Sequence, residues 1–343
     1  MAIAVVQTLA EREWRRFVEE HPQGNIFHTP EMFQVFARAE GHQPKLWAAT
    51  DDGGQVLALL QPVQITLMDG LLHRFTSRAV AYGGLLYAPG AEGQEALAAL
   101  LRAYRQEMKS ASLFTELRNM SDMNDVCPVL KKNGFAYEDH LNYLIDLNKP
   151  IEEIWKGISK NCQKAIRKSM NKGVVVEEVQ DRDLVPTCYD LLRQSYRRAK
   201  VPFAALSLFE SIFDILVPKG MAKFLLARVD NHYIAASMEM PYKDTIYSWY
   251  AGYDRSYRSF YPNDILVWHI LKWGTENGYR YYDFGGAGRP DEPYGVRDFK
   301  AKFGGQLMNF GRYTCVHAPT LLALSRVGYQ IYRKVHHVCN LRG

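Results

Sequence analysis

The chain has 343 residues, 47% of them hydrophobic and 23% charged, with a formal net charge of +5. This is the composition of a globular protein long enough for two domains, or for two similar halves of one. No run of 18 or more apolar residues occurs, so no membrane-spanning helix is expected, and the mild basic excess fits an anionic ligand such as a diphosphate or tRNA equally with none.

In chain order, 11–20 reads as a short helix with Trp14, Phe17 and Val18 on one face. Thr29 then caps a second helix that has Pro30 at its first position. Strands follow at 45–49 and 56–66, joined by the turn Asp51-Asp52-Gly53-Gly54, and another at 83–87. An Ala- and Leu-rich helix at 92–109 leads to a strand at 113–117, a short helix at 129–133 and a strand at 143–147. The order then restarts. A long basic helix at 152–171 precedes a strand at 174–179 and helices at 183–198 and 206–216, the latter capped by Ser207. A meander at 221–229, 233–241 and 245–250 leads to a helix at 263–277, a strand at 281–284, a short helix at 296–303 and a last strand at 307–316. Meander, helix, strand, helix, strand thus occurs twice, as a structural duplication with little residue identity. Beyond it, Leu321, Leu324, Gly328, Ile331 and Val335 mark one face of a helix carrying Arg326, Arg333 and Lys334. That helix either docks on the body or rests on an anionic membrane leaflet.

The five cysteines are scattered and contain no C-x-x-C pair, so neither a disulfide framework nor a metal site is expected. A reducing cytoplasm fits them, and the first residues do not read as a signal peptide.

Four segments carry chemistry. Lys160, Lys164, Arg167, Lys168 and Lys172 fall mostly on one side of a helix whose other side holds Ile158, Cys162, Ala165, Ile166 and Met170. Such a face is either simply solvated or a contact for the phosphates of a nucleotide, lipid carrier or tRNA. The loop from Arg255 to Asp264 stands at the strand-to-helix junction where a coenzyme-A-dependent acetyltransferase carries glycines, yet it contains none. Without them backbone N–H groups cannot approach a pyrophosphate, so coenzyme A should bind poorly. Gly285, Gly286 and Gly288 form a loop after the strand Tyr282-Asp283-Phe284, which is either a turn or a ligand cradle. Phe299 and Phe303 anchor the short helix after it, turning Lys300 toward whatever the glycine loop lines. An ammonium there could stabilise the oxyanion of an acyl transfer, or Lys300 could be an ordinary surface lysine.

Taken together, Tyr250-Ala251-Gly252, Tyr261-Pro262-Asn263-Asp264-Ile265-Leu266-Val267-Trp268, Tyr282-Asp283-Phe284-Gly285-Gly286 and Tyr294-Gly295-Val296-Arg297-Asp298-Phe299-Lys300 resemble the FemABX family of peptidoglycan bridge-forming transferases. The basic helix and Phe27-His28-Thr29-Pro30-Glu31-Met32-Phe33 extend the resemblance over nearly the whole chain, although the long helical arm of some members is not evident. The resemblance implies an α+β fold of two tandem GNAT-like (acyl-CoA N-acyltransferase fold) domains with a groove between them. The domains would be 1–150 and 151–317, followed by the basic amphipathic helix 318–343. It implies a cytoplasmic aminoacyltransferase needing no cofactor or metal, at the inner face of the plasma membrane if the C-terminal helix rests on the leaflet rather than on the body. The donor would be aminoacyl-tRNA and the acceptor an amine of a muropeptide or lipid-linked precursor. Lys300 would stabilise the transition state, with Lys302 as its substitute. Arg38, and Arg197 or Arg198, would bind acceptor phosphate, and Tyr250, Tyr253, Asn263, Gly285 and Gly286 would contact substrate. Two alternatives stand beside this: an N-acyltransferase with another acyl donor in polysaccharide or small-molecule biosynthesis, and a non-catalytic muropeptide-binding protein.

Overall fold

A computed structural model describes residues 2–66 and 76–325 of the chain. They form two compact units, and neither is contiguous in sequence. Of these residues the first comprises 2–33, 41–66, 76–138 and 311–325, and the second 34–40 and 139–310. Residues 139–150 therefore lie with the second unit, and 311–317 with the first, a different division from the contiguous blocks expected. Strand pairing is the reason, as follows.

The first unit contains a four-stranded sheet, ordered Ala4–Val6, Trp47–Thr50, Val56–Leu60 and Leu86–Tyr87. Its second sheet runs His42–Pro44, Val63–Thr66, Ser77–Gly83, Phe114–Asn119, Arg312–Val316 and Ala136–Glu138. The 56–66 segment is thus not one strand. It breaks at Gln61-Pro62, where proline has no N–H to continue a ladder, and its halves join different sheets. The helix Gly90–Met108 packs Leu97, Leu100, Leu101 and Tyr104 into the core of this unit.

The second unit has one seven-stranded sheet, ordered Val175–Glu178, Lys223–Val229, His232–Tyr242, Thr245–Tyr253, Tyr281–Gly286, Leu141–Asp146 and Gln306–Asn309. The expected strand at 307–316 is likewise two strands, parted at Phe310-Gly311, and each belongs to a different unit. Leu141–Asp146 sits between Tyr281–Gly286 and Gln306–Asn309, just as Arg312–Val316 sits between Phe114–Asn119 and Ala136–Glu138 in the first unit. Each sheet therefore holds one strand from the far part of the chain.

The helix expected at 152–171 is two helices, Ile151–Gly157 and Lys160–Asn171, because Ser159 caps the second by accepting from the Cys162 N–H. Ser207 caps nothing. The helix Leu206–Leu216 begins one residue earlier, and the Ser207 hydroxyl accepts from the Glu40 N–H at 2.9 Å.

Thr245–Tyr253 and Tyr281–Gly286 run parallel but pair only at Thr245–Tyr247 with Tyr281–Asp283. Beyond that, each keeps only its outer neighbour, so a wedge opens between 248–253 and 284–286. The central helix Pro262–Glu276 connects these two strands and packs Ile265, Leu266, Ile270 and Leu271 into the core of the unit. Among the described residues no helix is long and apolar enough to cross a membrane. Residues 319–325 are helical; the rest of the basic segment, and with it the expected leaflet contact, lies outside the described residues.

Candidate functional site

Alternation along Tyr281–Gly286 puts Tyr282 and Asp283 on opposite faces of the sheet at the point where the wedge begins. Asp283 is buried. Its carboxylate accepts from the Gly285 N–H at 2.7 Å and lies 3.4 and 3.5 Å from the Asn142 side-chain amide. Burial raises its pKa to about 6, against the opposing pull of the Gly285 N–H, Lys300 and Asn142. Gly285 itself has φ +68°, and a Cβ there would stand 2.9 Å from the Tyr247 hydroxyl, so glycine is required on both counts.

Lys300 projects from the short helix Gly295–Ala301 onto this turn. It is not a surface lysine: only 8% of it is exposed. Its ammonium donates to the carbonyls of Phe284 at 2.5 Å, Gly285 at 3.2 Å and Gly286 at 2.7 Å. An ammonium has three N–H donors, and all three are engaged. Burial lowers its pKa to about 8, partly opposed by Asp283. Lys300 thus fixes the course of the glycine loop at the edge of the wedge.

Lys302, two residues on, lies elsewhere. It is exposed, its ammonium is 5.3 Å from the Phe299 ring, and its charge acts on Cys162 and Asp264 at the start of the central helix. There the Cys162 thiol donates to the Asp264 carboxylate at 3.4 Å. Burial, then Asp264, pushes that thiol up to about 12, so it is no nucleophile. Asn263 follows Pro262 in the first turn, with its side-chain oxygen buried. Tyr261, at φ +53°, holds the cap position, and Asp264 occupies the first turn. A helix start whose first residue is a proline without an N–H and whose first turn carries a carboxylate is a poor seat for a pyrophosphate.

The basic helix flanks that junction. Lys172 stands 4.3 Å from the Phe260 ring and donates to the Ser259 carbonyl at 3.1 Å, Lys168 lies over Tyr261 at 5.5 Å, and Arg167 over Trp155 at 5.3 Å. On the other side of the wedge, Tyr250 packs in an aromatic cluster with Tyr196, Phe203, Phe209 and Trp249 at 5.0 to 5.6 Å between ring centroids. Arg198 donates to the Tyr253 carbonyl at 2.7 Å and lies over the Tyr253 ring at 5.4 Å. Arg197 and Arg38 are exposed on the flanking helices Val185–Ala199 and Pro30–Arg38.

The structure therefore brings Lys300 together with Gly285 and Gly286, and Arg198 with Tyr253. It sets Lys302 and Asn263 apart, at the helix junction. Sequence reading passed over the buried polar residues. Asp283 and Glu239 each interrupt an apolar strand, which is a usable signal; Asn142 comes from 141 positions earlier and has none. Glu239 is 2% exposed and receives the Tyr282 hydroxyl at 3.3 Å. Burial raises its pKa to about 7 even though the hydroxyls of Ser237, Ser248 and Tyr282 favour its charged form. Tyr282 in turn is raised well above the ordinary range, by burial and by Glu239.

Residues 158–300 match a family described as an acetyltransferase (GNAT) domain. Among solved structures, FemX is similar over 94% of this chain and 99% of its own, with a TM-score of 0.72 at 18% identity. A tandem GNAT protein from the clavulanic acid biosynthesis pathway is similar over 93% of this chain and 100% of its own, with a TM-score of 0.59 at 12% identity. The C-terminal domain of a putative lysylphosphatidylglycerol synthetase from Agrobacterium fabrum covers 92% of this chain and 94% of its own, with a TM-score of 0.55 at 15% identity. No curated protein sequence matches. Residues 158–300 thus match an acetyltransferase (GNAT) domain, and over nearly its whole length the chain shares its fold with FemX and with a tandem GNAT protein.

Proposed function

We propose that the protein is an aminoacyltransferase that joins a tRNA-borne amino acid to an amine of a muropeptide or lipid-linked peptidoglycan precursor. The observation that carries this reading is the glycine-free start of the central helix, with Pro262 and Asp264 in its first turn. The parted strands of an acyltransferase remain, but Tyr261, Asp264 and the glycine-free loop Arg255–Phe260 stand where a coenzyme A diphosphate would need open backbone N–H groups. Beside it, the lysines and arginine of the Lys160–Asn171 helix interleave with Trp155, Phe260 and Tyr261, a surface suited to a phosphate backbone. That the C-terminal domain of a putative lysylphosphatidylglycerol synthetase has the same fold is in keeping with it.

The amine attacks the ester carbonyl, forming a C–N bond. The intermediate collapses with loss of the C–O bond, and the amine's proton passes to the departing ribose hydroxyl. Tyr250 and Tyr253 would border the reacting groups, while Arg38, Arg197 and Arg198 would hold acceptor phosphate. For Lys300 to meet the oxyanion, one backbone contact must be exchanged for substrate; the longest, to Gly285 at 3.2 Å, is the one to give.

The test is product formation from charged tRNAs with UDP-linked or lipid-linked muropeptides, with and without ribonuclease. Product that vanishes with ribonuclease supports the reading; product that survives it points to another acyl donor. Acetyl-CoA should show no micromolar binding by calorimetry, and a micromolar dissociation constant would overturn the argument from the helix start.

A further inference from the structure

The first unit holds a charge cluster that the acyl-transfer reading does not use. In its six-stranded sheet, Ala79, Ala81, Leu117, Tyr313 and Cys315 face the hydrophobic core. Alternation puts Arg78, Glu116, Arg118 and Arg312 on the other face. Arg118 and Arg312 stand directly opposite each other in register, an arrangement of like charges that opposes sheet formation.

Glu116 sits among them. A single oxygen of its carboxylate accepts from the Arg118 Nε at 2.5 Å and the Arg312 Nη1 at 3.2 Å. Tyr82 lies beneath the Arg118 guanidinium at 5.2 Å and fixes its plane. Arg78 is the third cation. Its charge acts on Glu116, but its Nε is buried with no hydrogen-bond partner. Glu138 pairs in register with Arg312 at the sheet edge, so the face carries three guanidiniums against two carboxylates. A buried N–H without an acceptor is a cost to the fold, and an arginine fork is matched to the oxygens of a phosphoryl group.

We propose that Arg78, Arg118 and Arg312, gathered about Glu116, form an anion site for a phosphoryl group. The inference does not rest on the acyl-transfer reading, since none of these residues takes part in it.

The experiment uses the full chain at low ionic strength with two probes, inorganic pyrophosphate and phosphatidylglycerol vesicles. Calorimetry and thermal unfolding are read for wild type, Arg78→Gln, Arg78→Lys and the surface control Arg193→Gln. The expected result is binding of at least one probe, weakened about tenfold or more by Arg78→Gln and unchanged by Arg193→Gln. Pyrophosphate binding would identify a soluble ligand, and binding to vesicles alone a lipid headgroup. Without anion, Arg78→Gln should melt no lower than wild type, and added anion should raise only the wild-type melting temperature. Arg78→Lys keeps the charge but not the fork and should bind with intermediate strength. Failure of both probes to bind, binding indifferent to Arg78, or a lower melting temperature for anion-free Arg78→Gln would overturn the proposal.

Discussion

At the scale of single residues, Lys300 joins stability to function. Replacing it with alanine strips three buried carbonyls of their common donor, and unsatisfied buried acceptors cost about 1–3 kcal/mol each before relaxation. Lys300→Ala should therefore lose roughly 3 kcal/mol in urea unfolding as well as turnover; a variant as stable as wild type would mean that the loop holds its course without the clamp. Glu239 gives a pH signature. Its folded-state pKa is raised to about 7 from an ordinary 4.5, so across that window the folded protein keeps a proton that the unfolded chain has released. Its contribution to stability is whole below the unfolded value and is lost as pH rises through the folded one, a change of about 3 kcal/mol at most. Glu239→Gln removes this titration. The variant should gain on wild type between pH 5 and pH 8 in denaturant melts, and parallel pH profiles would refute the assignment.

At the scale of elements, Gly252 shows how closely a strand and a helix approach. A Cβ there would meet the Leu192 Cα at 2.8 Å and the Leu191 carbonyl at 2.9 Å. Both obstacles are backbone, so Gly252→Ala has to push the Val185–Ala199 helix off the sheet. The expected loss is about 1–3 kcal/mol, visible as a lower denaturant midpoint; an unchanged midpoint would show that the helix gives way freely. Periodicity and turn chemistry were enough to find most helices and the meander 223–253, because these are local. They failed where strands change sheet. Nothing within 56–66 or 307–316 says that its halves pair with different partners, although Pro62 and Gly311 mark the breaks. The site was legible in the same degree. The glycine turn and Lys300 are near in sequence and were found together, whereas the tie between Asn142 and Asp283 depends on sheet order.

At the scale of the whole molecule, two strands lie far in sequence from the sheets they complete. Cutting the chain at residue 150 would leave the first fragment without Arg312–Val316, and the second without Leu141–Asp146. Each fragment would expose unpaired strand edges in mid-sheet, a configuration prone to aggregation. Separately expressed fragments 1–150 and 151–343 should be insoluble or molten, and their co-expression should recover folded protein. A soluble 1–150 fragment that unfolds cooperatively would contradict this.

The interposed strand also sets an order of events during synthesis. Phe114–Asn119 and Ala136–Glu138 emerge from the ribosome early, but the strand that belongs between them comes only with Arg312–Val316. At ordinary translation rates that gap lasts on the order of tens of seconds. The six-stranded sheet is begun before the seven-stranded one and finished after it, and the nascent chain carries an open slot through about half of its own translation, which is where a ribosome-associated chaperone would have something to hold.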